Sequence, residues 1–349
     1  MAFILKKQEK ILLAAWVITL VLSGSFIFWV ISGGPPLIVE EQQASSLPAT
    51  THFDPDLFDV ASGINSPPLP TPNDIETPPP DTSVEQNLNL VEDSPFGALP
   101  RIADDGRAPW QEYGNAEVAD INQPAISIII TGMGLRQAST TTAVEDLPAA
   151  ITLAFSPYGR DLSSWTERAR QYGHDTLLML PMEPIRYPSN DPGPDTLLRD
   201  DPASTNIERM HIVMGKMQGY VGLINDMGSA FTASEEAMTP ILQEAHDRGL
   251  MFVDARSTHF SVAAALASDM GVPNAHNNRF IDQTPSEDAI NDMLSALERT
   301  AISQGAAVGV ARPLPITMRL LNDWAAKLQQ EGRILLVPVS TIANRQPIR

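Results

Sequence analysis

The sequence predicts an α/β fold in which a mostly parallel sheet alternates with helices and closes into a β/α barrel. From about residue 124 onward, short apolar runs alternate with amphipathic stretches. Several of the runs are continuously apolar, as expected for parallel strands that are covered on both faces. Eight such runs favour a barrel, with an open doubly wound sheet as the alternative.

The N-terminal segment predicts a single transmembrane helix. Residues 11–32 carry no charge and are rich in large apolar side chains, and about 20 such residues span a bilayer core. Three lysines lie in the basic segment 1–10, and acidic residues dominate after residue 32. We therefore expect the N-terminus in the cytoplasm and the C-terminal bulk on the other side. The alternative is a cleaved signal peptide, because residues 23–25 are small.

Residues 33–120 predict a disordered acidic linker. They contain prolines 78–80 and other proline runs, and their sixteen acidic residues against two arginines account for most of the chain's formal charge of −19. Such a composition cannot bury enough apolar surface to offset the entropy of ordering. The linker would act as an extended spacer for a folded domain at residues 121–349. A partner-binding motif around Phe96 or Trp110 is the alternative.

The composition also excludes some classes of partner and of catalytic site. The net charge of −19 argues against nucleic acid as a partner, because no basic stripe is present to neutralise phosphates. The chain has no cysteine, which excludes disulfides, thiolate metal sites and a cysteine nucleophile.

The elements of the folded domain follow from its patterns. The predicted strands are residues 126–131, 151–155, 175–180, 220–224, 250–253, 279–282, 306–311 and 333–337. Asp161, Ser234 and Ser286 are predicted helix N-caps, and each serine is followed by two acidic residues in the first turn. Residues 317–330 carry apolar side chains at helical spacing, and Gly332 is placed to end that helix.

Five predicted strand ends carry polar residues, at the edge where either architecture places a site. Thr131 and Gly132 follow the first strand, and Glu183 lies between two prolines that restrict its backbone. The remaining strand-end candidates are Asp226 and Ser229 after the fourth strand, Asp254, Arg256 and His259 after the fifth, and Arg312 after the seventh. Asp282, in the sixth strand, is a further candidate carboxylate. The alternative for Glu183 and Asp226 is that they are ordinary polar residues of loops or turns, without a role in a site. Asp254 and Arg256 could form an ion pair that is purely structural.

In this order the segments resemble the divergent polysaccharide deacetylase family over roughly residues 122–340. The resemblance is carried by Pro181-Met182-Glu183-Pro184, Asp191-Pro192-Gly193-Pro194, Met227-Gly228-Ser229 and Phe252-Val253-Asp254. It implies a distorted β/α barrel of the glycoside hydrolase/deacetylase type. It also implies an envelope location and a link to carbohydrate, with peptidoglycan as the expected glycan. Together with the predicted transmembrane helix, this gives an expected inner-membrane protein with a periplasmic domain.

The resemblance identifies four positions at which the chemistry has changed. In metal-dependent relatives an aspartate pair supplies a base and a ligand, and histidines complete the metal site. Here Thr131 stands at the base position, and Gly132, Asp226 and Arg312 stand at the ligand positions. A guanidinium stays protonated and repels a cation, and a zinc site normally has three protein ligands.

These changes favour a non-catalytic protein that needs no cofactor and binds cell-wall glycan or envelope proteins. An active metal-dependent hydrolase is the alternative, with Asp226, Asp254 and His259 as relocated zinc ligands. A further option is a Mg²⁺ or Ca²⁺ site made of carboxylates from Glu183, Asp226, Asp254 and Asp282. Arg256 and Arg312 would otherwise neutralise those carboxylates without metal. A third possibility is an envelope assembly scaffold with a vestigial cleft.

Overall fold

A computed structural model of the chain describes residues 89–115 and 123–348, which fall within one compact unit. The predicted transmembrane segment at residues 11–32 and the greater part of the predicted linker lie outside the described residues. No helix in the described ranges is long and apolar enough to cross a bilayer.

The described ranges contain eleven strands and nine short or medium helices. In chain order these are β1 (Val91–Ser94), β2 (Gly97–Pro100), α1 (Pro109–Glu112), β3 (Ala125–Met133), α2 (Gln137–Asp146), β4 (Thr152–Phe155), α3 (Leu162–Gln171), β5 (Thr176–Met182), α4 (Ala203–Met214), β6 (Gly222–Met227), α5 (Glu235–Asp247), β7 (Met251–Asp254), α6 (Ala263–Asp269), β8 (Asn274–His276), β9 (Arg279–Phe280), α7 (Glu287–Gln304), β10 (Ala306–Ala311), α8 (Pro315–Glu331), β11 (Leu335–Leu336) and α9 (Val339–Ile342).

The main sheet is parallel and curls into a barrel-like arrangement. Its order is β8-β7-β6-β5-β4-β3-β10-β9, and β11 pairs with β3. β8 and β9 are consecutive in the chain, yet they pair at opposite ends of this order, with β7 and with β10. Between them, Asn277 donates its backbone N–H to Asp254 O and Asn278 donates to Val308 O, both at 2.8 Å. One short segment therefore contacts both edges of the curled sheet.

The continuous apolar runs are explained by burial on both faces of this sheet. In β3, Ile126, Ile128 and Ile130 belong to a core that also contains side chains of the surrounding helices. Ala125 and Ile129 belong to a second core, formed largely by the alternate residues of the strands. Each of the eight predicted strands overlaps an observed one. β8 was not predicted, because three residues are too short for a periodic signal.

The structure tests the residues that were predicted to cap the helices. The Ser234 and Ser286 hydroxyls accept N–H bonds from Ala237 at 3.3 Å and Ala289 at 3.4 Å, which confirms both predicted caps. Asp161 occupies the N-cap position of α3, but its side chain makes no capping bond, so that prediction is wrong in its chemistry. α8 ends at Gly332, as predicted, with φ at 64°.

The predicted disordered linker is wrong in its last part. Residues 91–100 form an antiparallel hairpin, and Leu90, Leu99 and Tyr113 are buried. Arg248 fastens the hairpin to α5, because its Nη1 lies 2.9 Å from both Glu92 Oε1 and Pro100 O. The prediction rested on the average composition of residues 33–120. That average did not reveal a short segment whose few apolar side chains pack against the folded domain.

The N-terminal ends of the strands are covered by the segments at both ends of the described chain. The buried carboxylate of Asp175 accepts the backbone N–H of Asn115 at 2.7 Å and that of Ser340 at 3.0 Å. Thr152 Oγ1 accepts the N–H of Val339 at 3.0 Å. These contacts leave the opposite, C-terminal ends of the strands to form a cleft.

Candidate functional site

A cleft of about 1010 Å³ lies at the C-terminal ends of β3, β5, β6 and β10 and continues between α2 and α8. All four positions at which the family resemblance places altered chemistry line this cleft: Thr131, Gly132, Asp226 and Arg312. Its other lining residues include Leu135, Arg136, Ser139, Met179, Met318 and Asn322. Residues from three separate strand ends therefore meet in one place.

Arg312 is held in a fixed orientation by Asp282. The Asp282 side chain is only 4% exposed, and it accepts the backbone N–H of Arg312 at 3.0 Å and Nε at 3.3 Å. Arg312 Nη2 donates to the backbone oxygen of Asp282, and Thr317 Oγ1 donates to its carboxylate at 3.0 Å. The Arg312 side chain as a whole remains 52% exposed. The result is an anchored positive charge at the cleft.

Thr131 and Gly132 lie beside Arg312, because β3 and β10 pair with Ile130 opposite Ala311. The Thr131 hydroxyl donates to Ala311 O at 3.2 Å, and the Gly132 N–H contacts Met179 Sδ at 3.2 Å. Gly132 has a φ of +75°, in the region that favours glycine. Neither residue supplies a carboxylate, and the hydroxyl of Thr131 is occupied by the backbone.

Among the carboxyl groups that line the cleft, Asp226 has the most strongly shifted pKa. Burial raises its pKa to about 6, partly opposed by a backbone hydrogen bond from Met227. Among the described residues, none forms an ion pair with it. A carboxyl in this state takes up a proton near neutral pH and can act as a hydrogen-bond donor as well as an acceptor.

Asp254 points away from this cleft. β6 and β7 pair with Ile224 opposite Val253, so Asp226 and Asp254 stand one step out of phase and project to opposite faces. The fully buried Asp254 carboxylate accepts Ser261 Oγ and the Arg256 backbone N–H, each at 2.8 Å. Its bond to Arg256 therefore comes from the main chain, and burial raises the pKa of Asp254.

Three other candidates organise the loops around the strand ends and do not line the cleft. Glu183 Oε2 accepts the Arg199 N–H at 2.6 Å, which pins the long loop after β5. Ser229 Oγ accepts the Ile185 N–H at 3.0 Å and joins the loops after β5 and β6. His259 is exposed, with its ring centroid 3.8 Å from that of Phe260.

The residues present do not fit a metal site of the kind the resemblance implies. Of the four altered positions, only Asp226 carries a side chain that binds metals well, and Arg312 would repel a cation. The described residues include no group of three or more His, Asp or Glu side chains placed to hold a metal ion. Neither the relocated set with Asp254 and His259 nor the four-carboxylate cluster is assembled.

Two polar residues at the strand ends were missed from the sequence. Arg136 immediately precedes α2 and lines the cleft, and its place just after the Gly132–Gly134 turn was a usable signal. His276 in β8 is 2% exposed, its Nδ1 has no hydrogen-bond partner among residues 89–115 and 123–348, and burial lowers its pKa to about 4. No signal pointed to His276, because β8 itself was not predicted.

Three exposed apolar side chains also lie at this end of the sheet. Ile185, Met227 and Phe260, here called the mouth patch, are 72%, 40% and 67% exposed. They lie in or at the loops that follow the neighbouring strands β5, β6 and β7. The loops after β6 and β7 are joined by a bond from Val262 N–H to Thr232 O at 2.9 Å.

Comparison with known proteins gives concordant results. A family model described as divergent polysaccharide deacetylase matches residues 128–343. An uncharacterized protein of Haemophilus influenzae is 25% identical over 213 residues, covering 61% of this chain and 75% of that protein. The uncharacterized Escherichia coli protein YibQ is 26% identical over 227 residues, covering 64% and 68%. The crystal structure of an uncharacterized Agrobacterium tumefaciens protein superposes with a TM-score of 0.68 at 34% identity, covering 70% of this chain and 99% of that one.

Proposed function

Because the chain belongs to the divergent polysaccharide deacetylase family, we propose that it serves cell-envelope carbohydrate metabolism by binding glycan in its cleft without deacetylating it. In this proposal, residues 11–32 anchor the protein in the inner membrane with the N-terminus in the cytoplasm. The folded domain lies in the periplasm, where an acidic spacer lets it reach peptidoglycan.

The convergence of the four altered positions is the observation that carries the proposal. Thr131, Gly132, Asp226 and Arg312 come from three strands, yet they line the same cleft. A hydrolase of this type needs a proton acceptor and a cage of metal ligands at that place. The side chains present offer a hydroxyl bonded to the backbone, a glycine, one carboxyl and a guanidinium, which suit binding better than metal-assisted hydrolysis.

The shape and chemistry of the cleft support a saccharide as the ligand. Its volume of about 1010 Å³ lies at the upper end of the usual range for ligand sites. Its lining combines apolar side chains such as Leu135, Met179 and Met318 with polar ones such as Ser139 and Asn322. Sugar rings present the same mixture, since their hydroxyls need hydrogen-bond partners and their C–H faces pack on apolar surface.

The proposal is tested on the purified full-length protein. Calorimetry measures binding of chitooligosaccharides and peptidoglycan fragments, elemental analysis measures bound metal, and acetate release measures deacetylation. We expect saturable binding without acetate release. Asn322→Trp should fill the groove and weaken binding, whereas Asn291→Trp on the exposed face of α7 should not. One tightly bound metal per chain together with acetate release would overturn the proposal. Activity that then disappears in Asp226→Ala would establish the relocated-ligand hydrolase.

A second candidate function, docking of an envelope protein, is favoured by the mouth patch. Exposed apolar side chains gathered on neighbouring loops are typical of protein interaction sites. The double variant Ile185→Ser with Phe260→Ser should abolish a specific cross-linked species in native membranes and leave glycan binding unchanged. Ile302→Ser is the matched control, because Ile302 is 59% exposed on α7. Equal cross-linking by both variants would exclude this surface as the docking site.

A further inference from the structure

The half of the cleft nearest the strand ends contains two arginines. Arg312 follows β10, and Arg136 lies at the start of α2, three residues after β3. Because β3 and β10 are directly paired strands, the two arginines follow neighbouring strand ends on the same side of the cleft. Both line the cleft.

Each guanidinium has hydrogen-bond donors to spare. The contacts of Arg312 with Asp282 use its Nε and Nη2, so that Nη1 has no protein acceptor among the described residues. Arg136 is exposed, and its guanidinium forms no ion pair within the described ranges. Guanidinium donors of this kind match the two oxygens of a carboxylate.

The acidic lining of the cleft lies mostly at its other end. Asp146 is the last residue of α2, about 14 Å along the helix from its start. Asp323 lies beyond the second turn of α8. Arg319 also lines the cleft, and its guanidinium is paired with Asp323 at 3.7 Å and with Glu287 at 2.9 Å. The two ends of the cleft therefore differ in charge. The guanidinium groups that have free donors lie at the strand ends, and the carboxylates of Asp146 and Asp323 lie at the other end.

Asp226 is the one acidic residue that lines the strand-end half, and it is poorly placed to keep its charge. Burial raises its pKa to about 6, so an anion bound nearby would favour the protonated carboxyl further. In that form it donates a hydrogen bond to an oxygen of the ligand and does not repel it.

We propose that the strand-end half of the cleft binds the carboxylate of an acidic sugar residue, with Arg312 and Arg136 as its donors. This inference rests on the proposed glycan binding and specifies the class of glycan. Arg312, anchored by the buried Asp282, provides the fixed cation, and Arg136 closes on the second oxygen of the ligand.

The test compares two disaccharides of equal length on the full-length protein by calorimetry. One is N,N′-diacetylchitobiose, called chitobiose below, which is neutral, and the other is N-acetylglucosaminyl-N-acetylmuramic acid, which adds a lactyl carboxylate. We expect the acidic disaccharide to bind about tenfold more tightly or better, as a charge-assisted hydrogen bond implies. Its carboxylate methyl ester should lose that advantage.

Variants assign the selectivity to the two arginines. Arg136→Gln removes an exposed side chain without disturbing the core, and it should reduce the ratio of the affinity for the acidic disaccharide to the affinity for chitobiose. Arg312→Lys keeps a charge but loses the planar fork, and it should also reduce the preference. Arg299→Gln, at an exposed position of α7, is the matched control and should behave as the wild type.

The outcomes separate this inference from the proposed function. Equal affinity for chitobiose and the acidic disaccharide would overturn the carboxylate site and leave glycan binding standing. A preference for the acid that survives Arg136→Gln and Arg312→Lys would likewise overturn the assignment of the donors. Failure of both disaccharides and longer peptidoglycan fragments to bind would overturn the proposed function itself, and the inference with it.

Discussion

Replacement of Asp226 by asparagine should make the protein more stable at neutral pH. The substitution keeps the size and shape of the side chain and removes its capacity for negative charge. Asp226 gains little from neighbours in the folded state, because burial dominates its environment and none of the described residues forms an ion pair with it. Removing the charge should therefore remove a cost of folding.

The magnitude follows from proton linkage. The pKa of Asp226 rises from 3.8 to about 6 on folding, a difference worth up to about 3 kcal/mol. At Asp226 the folded state binds more protons between these values, so the contribution of this group to stability is most favourable below pH 3.8 and is lost as pH rises toward 6. Asp226→Asn should thus stabilise the protein by up to about 3 kcal/mol at pH 8 and by less than about 1 kcal/mol at pH 4.

Urea denaturation at both pH values measures this effect. The quantity of interest is the change in the free energy of unfolding between wild type and Asp226→Asn. Asp292→Asn, at an exposed position of α7, is the matched control and should change stability within about 0.5 kcal/mol at either pH. A stabilisation by Asp226→Asn that is the same at pH 4 and pH 8, or a destabilisation at pH 8, would refute the account of a desolvated carboxyl.

Three further changes test other parts of the structure. Arg248→Ala should lower the free energy of unfolding by about 2–3 kcal/mol, because it removes charged hydrogen bonds to the N-terminal hairpin; amide exchange should quicken in that hairpin, and unchanged exchange would contradict the anchoring role. Ser286→Ala should cost about 1 kcal/mol through loss of the α7 cap, and a neutral result in urea denaturation would count against it. The triple variant Gly132→Asp, Asp226→His and Arg312→His restores a carboxylate and two imidazoles at the three ligand positions and should gain bound zinc by elemental analysis, and a protein that folds but gains none would show that these three positions do not form one metal cage.

The sequence alone predicted the strands of the sheet and much of the helix-end chemistry. Runs such as residues 126–131 are apolar because both faces of a parallel strand are buried, and that requirement is visible in the residues themselves. Ser234 and Ser286 cap their helices through contacts three residues away, which are equally local. The strand ends likewise indicated where a site would lie.

The tertiary structure decided which of the candidate residues share that site. Asp226 and Asp254 follow adjacent strands, and only the strand register determines that they project to opposite faces. The pair of Arg312 with Asp282 spans 30 residues, and the order of residues 89–115 depends on partners such as Arg248, far away in the chain.

There is a physical reason why the sequence predicted the elements of the fold but not the arrangement of the site. Propensity, capping and burial of a strand depend on neighbours in sequence, so the residues carry that information directly. The direction of a side chain at a strand end depends on register and on the loop that follows, and burial of a carboxyl depends on all the elements around it. The loss of the aspartate pair was therefore evident from the sequence, whereas the meeting of Arg136, Arg312 and a desolvated carboxyl in one half of a cleft required the fold.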